Sequence, residues 1–132
     1  MAVNIDFVTV GEQFHKYYYH LFETDRNQLT TLYNDFSCLS FEGDNVMGKD
    51  AIVKKLAGLP FRRVKHVPTL CDSQPVINVD DGKAVFVSVI GKIHVDEDPE
   101  KGFFQSFLLR PNDQSASSFY IANETFRLNL VD

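Results

Sequence analysis

Tryptophan is absent from the 132-residue chain, and cysteine nearly so. The two cysteines, Cys38 and Cys71, lack the paired spacing of a zinc site or of a redox Cys-x-x-Cys. Free cysteine is among the most buried residue types, so both are expected as reduced, buried thiols. Positive charge is in deficit: 13 Lys and Arg face 18 Asp and Glu, a net charge of −5. That is the wrong sign for a default nucleic-acid binder. Long hydrophobic runs are missing too. The longest nearly apolar stretch, 84–90, includes Ser88 and falls far short of the roughly 20 residues of a membrane-spanning helix. The start, Met1 to Asp6, has no basic segment and meets Asp6 and Glu12 early, unlike a secretory signal. The glycosylation-type triplet Asn123-Glu124-Thr125 is then an accident of sequence. A soluble, intracellular protein is expected, with no membrane and no nucleic acid among its partners.

What the chain has in excess is phenylalanine, 12 residues alongside 5 Tyr. This load suggests a Phe-rich core, a cavity or an adhesive interface. The mass implies a folded surface of roughly 7,000 Å² against about 22,000 Å² unfolded. Two-thirds of the surface is then buried, enough for one core and a single domain over 1–132.

The first third reads helical. Phe7, Val10, Phe14, Tyr17, Tyr18 and Leu21 recur by threes and fours on one face. A shorter helix follows, with Asp25 as N-cap and Leu29, Leu32 and Tyr33 as its buried stripe. Ser37 to Glu42 alternates like a short strand closed by Gly43-Asp44. A third helix is expected over 49–57, burying Ala51, Ile52 and Leu56, with Gly58 at its end and Pro60 beyond. From Phe61 the period becomes two. Strands are expected over 63–74, 84–95, 103–110 and 119–130, with turns at Asp80-Asp81-Gly82 and Pro111-Asn112-Asp113. Helices followed by a meander of strands indicate an α+β fold with a bent antiparallel sheet.

The second of these strands, 84–95, is apolar on both faces. Val85, Val87, Val89, Ile93 and Val95 line one side, and Phe86 and Ile90 the other. In the last strand Phe119 and Ile121 are expected to oppose Tyr120, Ala122, Phe126, Leu128 and Leu130. No helices remain to cover a second apolar face, which points to sheet-to-sheet homodimerisation.

The acidic run Asp96-Glu97-Asp98, with Glu100 beyond Pro99, ends a strand, as does Glu42 beside Phe41. If these ends meet, several carboxylates and aromatic rings share one rim. Such a rim suits a partner whose apolar anchor is flanked by Lys or Arg. The basic segment Lys54, Lys55, Arg62, Arg63, Lys65 is expected to pair locally with acids. His66 needs an orienting carboxylate and a cavity to be catalytic; Asp72, six residues on, is too far along a straight strand (roughly 20 Å) to serve. No cofactor-binding motif is visible, and the carboxylates are all expected at the rim.

The chain resembles the nuclear transport factor 2 family over nearly its whole length. The likeness is carried by Tyr18-Tyr19 with Leu21-Phe22, Asp25-Arg26, Phe41-Glu42-Gly43, Gly48-Lys49, Ala51-Ile52-Val53 and Leu59-Pro60-Phe61. It continues through His66, Asp72-Ser73-Gln74-Pro75, Asp96-Glu97-Asp98-Pro99, Gly102-Phe103, Gln105, Phe107-Leu108-Leu109, Asn123 and Phe126-Arg127-Leu128. The resemblance implies a cone-like roll, with the bent sheet packed on three helices and an apolar cavity open at one end. It also implies a homodimer and a non-enzymatic carrier of the small GTPase Ran in its GDP state, whose switch-region Phe enters the cavity. Carried over, the Ran-binding residues are Glu42, Asp96 and Asp98 on the rim, His66 nearby, and Phe41, Leu59, Val64 and Phe103 in the wall. Phe7 stands where the family binds Phe-x-Phe-Gly repeats of nuclear pore proteins. Passage between cytoplasm, nucleus and the nuclear pore complex is implied as well. Phe7 and Phe41 occupy positions where the family usually has Trp, and Lys101 one that is commonly apolar. The same roll also serves isomerases and dehydratases, and a subunit of a messenger-RNA export heterodimer.

Overall fold

Asp6 starts the first helix by accepting hydrogen bonds from the Thr9 backbone N–H (3.1 Å) and hydroxyl (2.8 Å), partnering donors that a helix start leaves free. The computed structural model describes residues 5–129. Helix α1 spans Phe7–Thr24. Asp25 then caps a seven-residue 3₁₀ segment, Arg26–Leu32, instead of the expected second α-helix. Leu29 and Leu32 are buried as expected, while Tyr33 already belongs to strand β1, Tyr33–Phe41. Strand β2, Asp44–Met47, was not foreseen. Glu42 and Gly43 both adopt positive φ (51° and 90°), as a two-residue type I′ hairpin requires. They turn the chain back, so the segment at Gly43-Asp44 links two strands. Helix α2 spans Lys49–Ala57 and buries Ile52 and Leu56, but Ala51 faces solvent.

Strands β3 (Val64–Val76), β4 (Ala84–Val95), β5 (Lys101–Pro111) and β6 (Phe119–Asn129) complete one six-stranded sheet in the order β2-β1-β6-β5-β4-β3. The sheet is not wholly antiparallel, because β1 and β6 run parallel. The long excursion through α2 and four strands supplies the crossover that a parallel pair needs.

Two bulges shape the sheet. Pro68 pairs with Gly91 and Leu70 with Ile90, leaving Thr69 as the extra residue. Beside it, a Cβ on Gly91 would lie 2.3 Å from the Val67 carbonyl oxygen, so only glycine permits this approach. The bulge also places Asp72 on the outer face, away from His66. A second bulge lies at Ala122, because Leu109 pairs with Ile121 and Leu108 with Asn123. It reverses the alternation, so Ile121 and Phe126, expected on opposite faces, are both buried, with Glu124 between them. Leu130 lies outside the described residues.

The inner face holds the core. Phe107 meets Phe14 and Tyr18 edge-on at centroid distances of 5.4 and 4.9 Å, a favoured aromatic geometry. The buried face of α1 is rolled from the expected one: Gly11, His15, Tyr19 and Phe22 are buried, while Tyr17 is 52% exposed. The cause is Gly11, where a Cβ would sit 1.8 Å from Ser73 Oγ, so the helix backbone presses onto β3. On the outer face Leu70, Phe86, Ile90 and Phe104 remain between 39% and 57% exposed. They adjoin one another, since Leu70 pairs with Ile90 and Ile90 with Phe104. Among the described residues no helix is long and apolar enough to cross a membrane.

Candidate functional site

At one end of the roll the helices and the sheet fail to close, leaving an apolar cavity of about 230 Å³. The last turn of α1 contributes Phe22, and the segment after α2 contributes Leu59 and Phe61. From the sheet come Phe41, Ile93, Val95, Phe126 and Leu128, with Pro99 at the β4–β5 turn. Phe41 lies nearly parallel to Phe126 (4.9 Å, 11°), and Phe126 to Phe103 behind it (5.8 Å, 19°). The Arg26 guanidinium covers the Phe61 ring at 4.7 Å, a cation–π contact that fixes this wall.

Glu42 and Asp98 both reach the cavity, as expected if two strand ends share a rim. Glu42 accepts a hydrogen bond from the Leu128 backbone N–H at 2.5 Å, which ties the β1–β2 turn to β6. The Asp98 carboxylate is exposed, with no hydrogen bond or ion pair among the described residues. Asp96 is different. Its carboxylate accepts from the backbone N–H groups of Arg62 (3.1 Å) and Arg63 (2.8 Å). These bonds, the one from Arg63 foremost, hold its pKa below the usual carboxylate value. Asp96 therefore joins the β4–β5 turn to the start of β3. Two further wall expectations are displaced: Val64 lines a separate polar depression beside Arg26 and Arg62, and Phe103 is buried behind the wall. Lys101 lines the cavity with Asp98. In the basic segment, Lys55 pairs with Asp44 at 3.1 Å and Arg63 with Glu97 at 2.5 Å, both local pairings.

His66 also lines the cavity, and its carboxylate partner is Glu23. One Glu23 oxygen accepts from the His66 backbone N–H (2.6 Å) and lies 2.9 Å from Nδ1. A carboxylate only accepts, so Nδ1 carries the proton and neutral His66 presents Nε2 as an acceptor. Tyr19 stacks on the ring at 4.2 Å. Burial lowers the His66 pKa, against the opposing pull of Glu23. Burial alone would raise Glu23, but the His66 side-chain and backbone hydrogen bonds hold it below its ordinary value.

Beneath the cavity lies a buried carboxylate that the sequence reading did not foresee. Glu124 accepts from the hydroxyls of Tyr18 (2.6 Å) and Tyr33 (2.5 Å) and from the Gln105 amide (2.6 Å). Tyr19 in turn donates to the Gln105 carbonyl oxygen at 2.8 Å. Burial raises the Glu124 pKa, against the three donated bonds. Gln105 reaches the cavity, whereas Glu124 is shielded behind it. The signal was present in Glu124-Thr125-Phe126-Arg127-Leu128, where Glu124 shares alternation with two apolar residues.

Away from the cavity, Glu12, His15 and Cys71 bring their ligand atoms within 4.8 Å of one another. Cys38 and Cys71 are free thiols, both half-buried where full burial was expected.

The family described as the nuclear transport factor 2 (NTF2) domain matches residues 10–128. Nuclear transport factor 2 of Saccharomyces cerevisiae is 40% identical over 129 residues, 96% of this chain and 98% of that protein. The probable nuclear transport factor 2 of Caenorhabditis elegans is 39% identical over 136 residues, with 98% of each covered. The solved structure of nuclear transport factor 2 from Cryptosporidium parvum superimposes with a TM-score of 0.87 at 36% identity, covering 98% of this chain and 99% of that one. With a family match across the roll, its bulged strands and its cavity, the chain belongs to the nuclear transport factor 2 family.

Proposed function

We propose that this protein is a non-enzymatic nuclear transport factor that carries GDP-bound Ran between cytoplasm and nucleus. The observation carrying this reading is the apolar cavity with Glu42 and Asp98 at its edge. Its volume of about 230 Å³ is below the roughly 300–1,000 Å³ of pockets that enclose drug-sized ligands. It suits an inserted aromatic side chain, with the carboxylates pairing to flanking Lys or Arg. Phe41, Leu59 and His66 are the contacts from the expected set that border this space. Asp96, Val64 and Phe103 act by shaping it. GDP selectivity follows if only one conformation of the switch segment presents its aromatic residue to a rigid cavity.

Two further associations complete the proposal. The exposed patch of Leu70, Phe86, Ile90 and Phe104 joins two copies, which explains an apolar outer face on a sheet with no helix over it. Phe7, half-buried at the start of α1, and the adjoining groove of Val10, Phe14, Tyr17 and Phe119 bind Phe-x-Phe-Gly repeats weakly during passage through the nuclear pore.

The Glu23–His66 pair raises a second reading, a general base within the cavity. An isomerase or dehydratase needs an opposing acid as well. Glu124 is shielded by Gln105 and occupied by three donors of its own chain, and the remaining cavity carboxylates are at the rim. The carrier reading is the better supported.

Calorimetric titration with GDP-loaded and GTP-loaded Ran tests it, with Asp98→Asn as the variant that disturbs no internal bond. Binding of the GDP form alone, weakened in the variant, is the expected result. Equal binding of both forms, or of neither, overturns the carrier reading. Sedimentation of Ile90→Asp tests the dimer, which is expected to dissociate.

A further inference from the structure

Helix α1 and strand β3 touch where Gly11 packs against Ser73, and three side chains of metal-ligating type surround that contact. Glu12 and His15 come from α1, three residues apart and therefore neighbours on the helix surface. Cys71 comes from β3, beyond the Thr69 bulge that turns its side chain inward. Their ligand atoms all lie within 4.8 Å of one another. We propose that Glu12, His15 and Cys71 form a binding site for one borderline-soft divalent cation of the Zn²⁺ type, with water completing the coordination.

Geometry supports the assignment. With Zn–S near 2.3 Å and Zn–N near 2.0 Å, two tetrahedral ligands stand about 3.5 Å apart. His15 Nδ1 and Cys71 Sγ are separated by 3.4 Å. The separation of the nitrogen and the sulfur therefore already fits a shared cation, and loading requires only that Nδ1 exchange its bond to the Gly11 carbonyl oxygen for the cation. This pair is also firmly mounted. His15 is 4% exposed, and the close Gly11–Ser73 approach fixes α1 against β3. Glu12 is the adaptable member: it is exposed and paired with Lys16 at 3.2 Å, a contact of the kind that is weak in water. One nitrogen, one thiolate and one carboxylate suit zinc better than magnesium or calcium, which prefer oxygen alone.

Protons balance simply. Nδ1 lies 3.0 Å from the Gly11 carbonyl oxygen, so it carries the proton in the unliganded protein. Loading moves that proton to Nε2, so His15 stays a neutral imidazole, and releases the Cys71 thiol proton to solvent. The bound cation would clamp α1 to β3, the two elements that carry Glu23 and His66 at the cavity. The site is independent of the carrier reading, because neither Glu12 nor Cys71 borders the cavity.

Co²⁺ titration of the untagged full chain, read by thiolate-to-cobalt charge-transfer absorption and repeated with Zn²⁺ in competition, tests the proposal. One equivalent should bind and be displaced by Zn²⁺. Cys71→Ser should abolish the absorption band. Glu12→Gln, at an exposed position that leaves the fold unchanged, should weaken binding by at least about tenfold, the lower end of what loss of even an outer-shell partner costs. Cys38→Ser should bind as the wild type does. Absence of a charge-transfer band in the wild type overturns the proposal. So does a band that survives Cys71→Ser or disappears in Cys38→Ser.

Discussion

Two sets of carboxylates belong to one cavity, and they have opposite circumstances. Below the floor, Glu124 is buried and accepts three short hydrogen bonds from its own chain. At the mouth, Asp98 has no such bond among the described residues, and Glu42 is held by a single backbone donor. An acid already satisfied by its own protein has nothing left for a partner. An acid left open at the edge of an apolar cavity adds little to folding and remains available for recognition. Asp96 belongs with the first kind in spite of its place on the turn, because two backbone donors occupy it. The sequence run Asp96-Glu97-Asp98 thus holds an occupied carboxylate and an open one two residues apart.

The largest effect separating the two sets is expected at Glu124. Glu124→Leu leaves two tyrosine hydroxyls and an amide buried without their acceptor. Each buried donor left without an acceptor costs about 1–3 kcal/mol, so the loss is a large share of the roughly 5–15 kcal/mol that stabilises a domain. The urea midpoint should fall sharply, whereas Asp98→Asn should leave it unmoved. A stable Glu124→Leu protein would show that the floor is not a structural device. Tyr33→Phe is a milder form of the same test. It removes one donor while preserving ring packing, and should cost about 1–2 kcal/mol.

Much of this division was legible in the sequence, and what was hidden has local causes. The α+β class, α2 and β4 followed directly from period and capping. The strand ends at Glu42 and at Asp96-Glu97-Asp98 suggested a shared rim, and the family resemblance supplied Glu42, Asp96 and Asp98 as its acids. Glu124 was missed because the bulge at Ala122 reverses the alternation of β6, and no residue type announces a bulge. Counting by twos from Phe119 assigns Glu124 and Phe126 to the face opposite Ile121. Glu23 was missed as the partner of His66 because its contact spans 43 residues and depends on the roll of α1. That roll is set by the small size of Gly11, which weakens a helix in isolation but permits the close approach to β3.

The His66–Glu23 pair stands between the two sets, buried like the floor yet bordering the cavity like the rim. Burial holds the folded His66 pKa below its ordinary 6.5. The unfolded chain therefore takes up this proton first, and stability falls as the pH drops through about 6.5. Glu23, lowered from 4.5, loses its contribution only as the pH falls further, through its own folded value. Glu124, raised from 4.5, acts in the opposite sense: its contribution is present in full below 4.5 and is lost as the pH rises through the folded value. Urea midpoints at pH 7, 6 and 5 should therefore decline less in His66→Gln than in the wild type. An identical decline would place His66 outside the pH response.

The smallest expected effect is the one that isolates the rim. Asp98→Asn changes a single exposed charge, breaks no internal hydrogen bond and keeps nearly the same shape. In the proposed complex its contribution is that of one exposed ion pair, so affinity for GDP-loaded Ran should fall by up to about fivefold. The loss should appear mainly as slower association and a weaker dependence on salt, because a rim charge acts through steering. Asp96→Asn should behave differently, lowering affinity only to the extent that the turn to Arg62 and Arg63 loosens. Measuring both variants by stopped flow at two salt concentrations separates a charge that meets the partner from one that shapes the surface it meets. If Asp96→Asn has the larger salt effect, the turn acid is the recognition residue, and the division between satisfied and open carboxylates fails at this position.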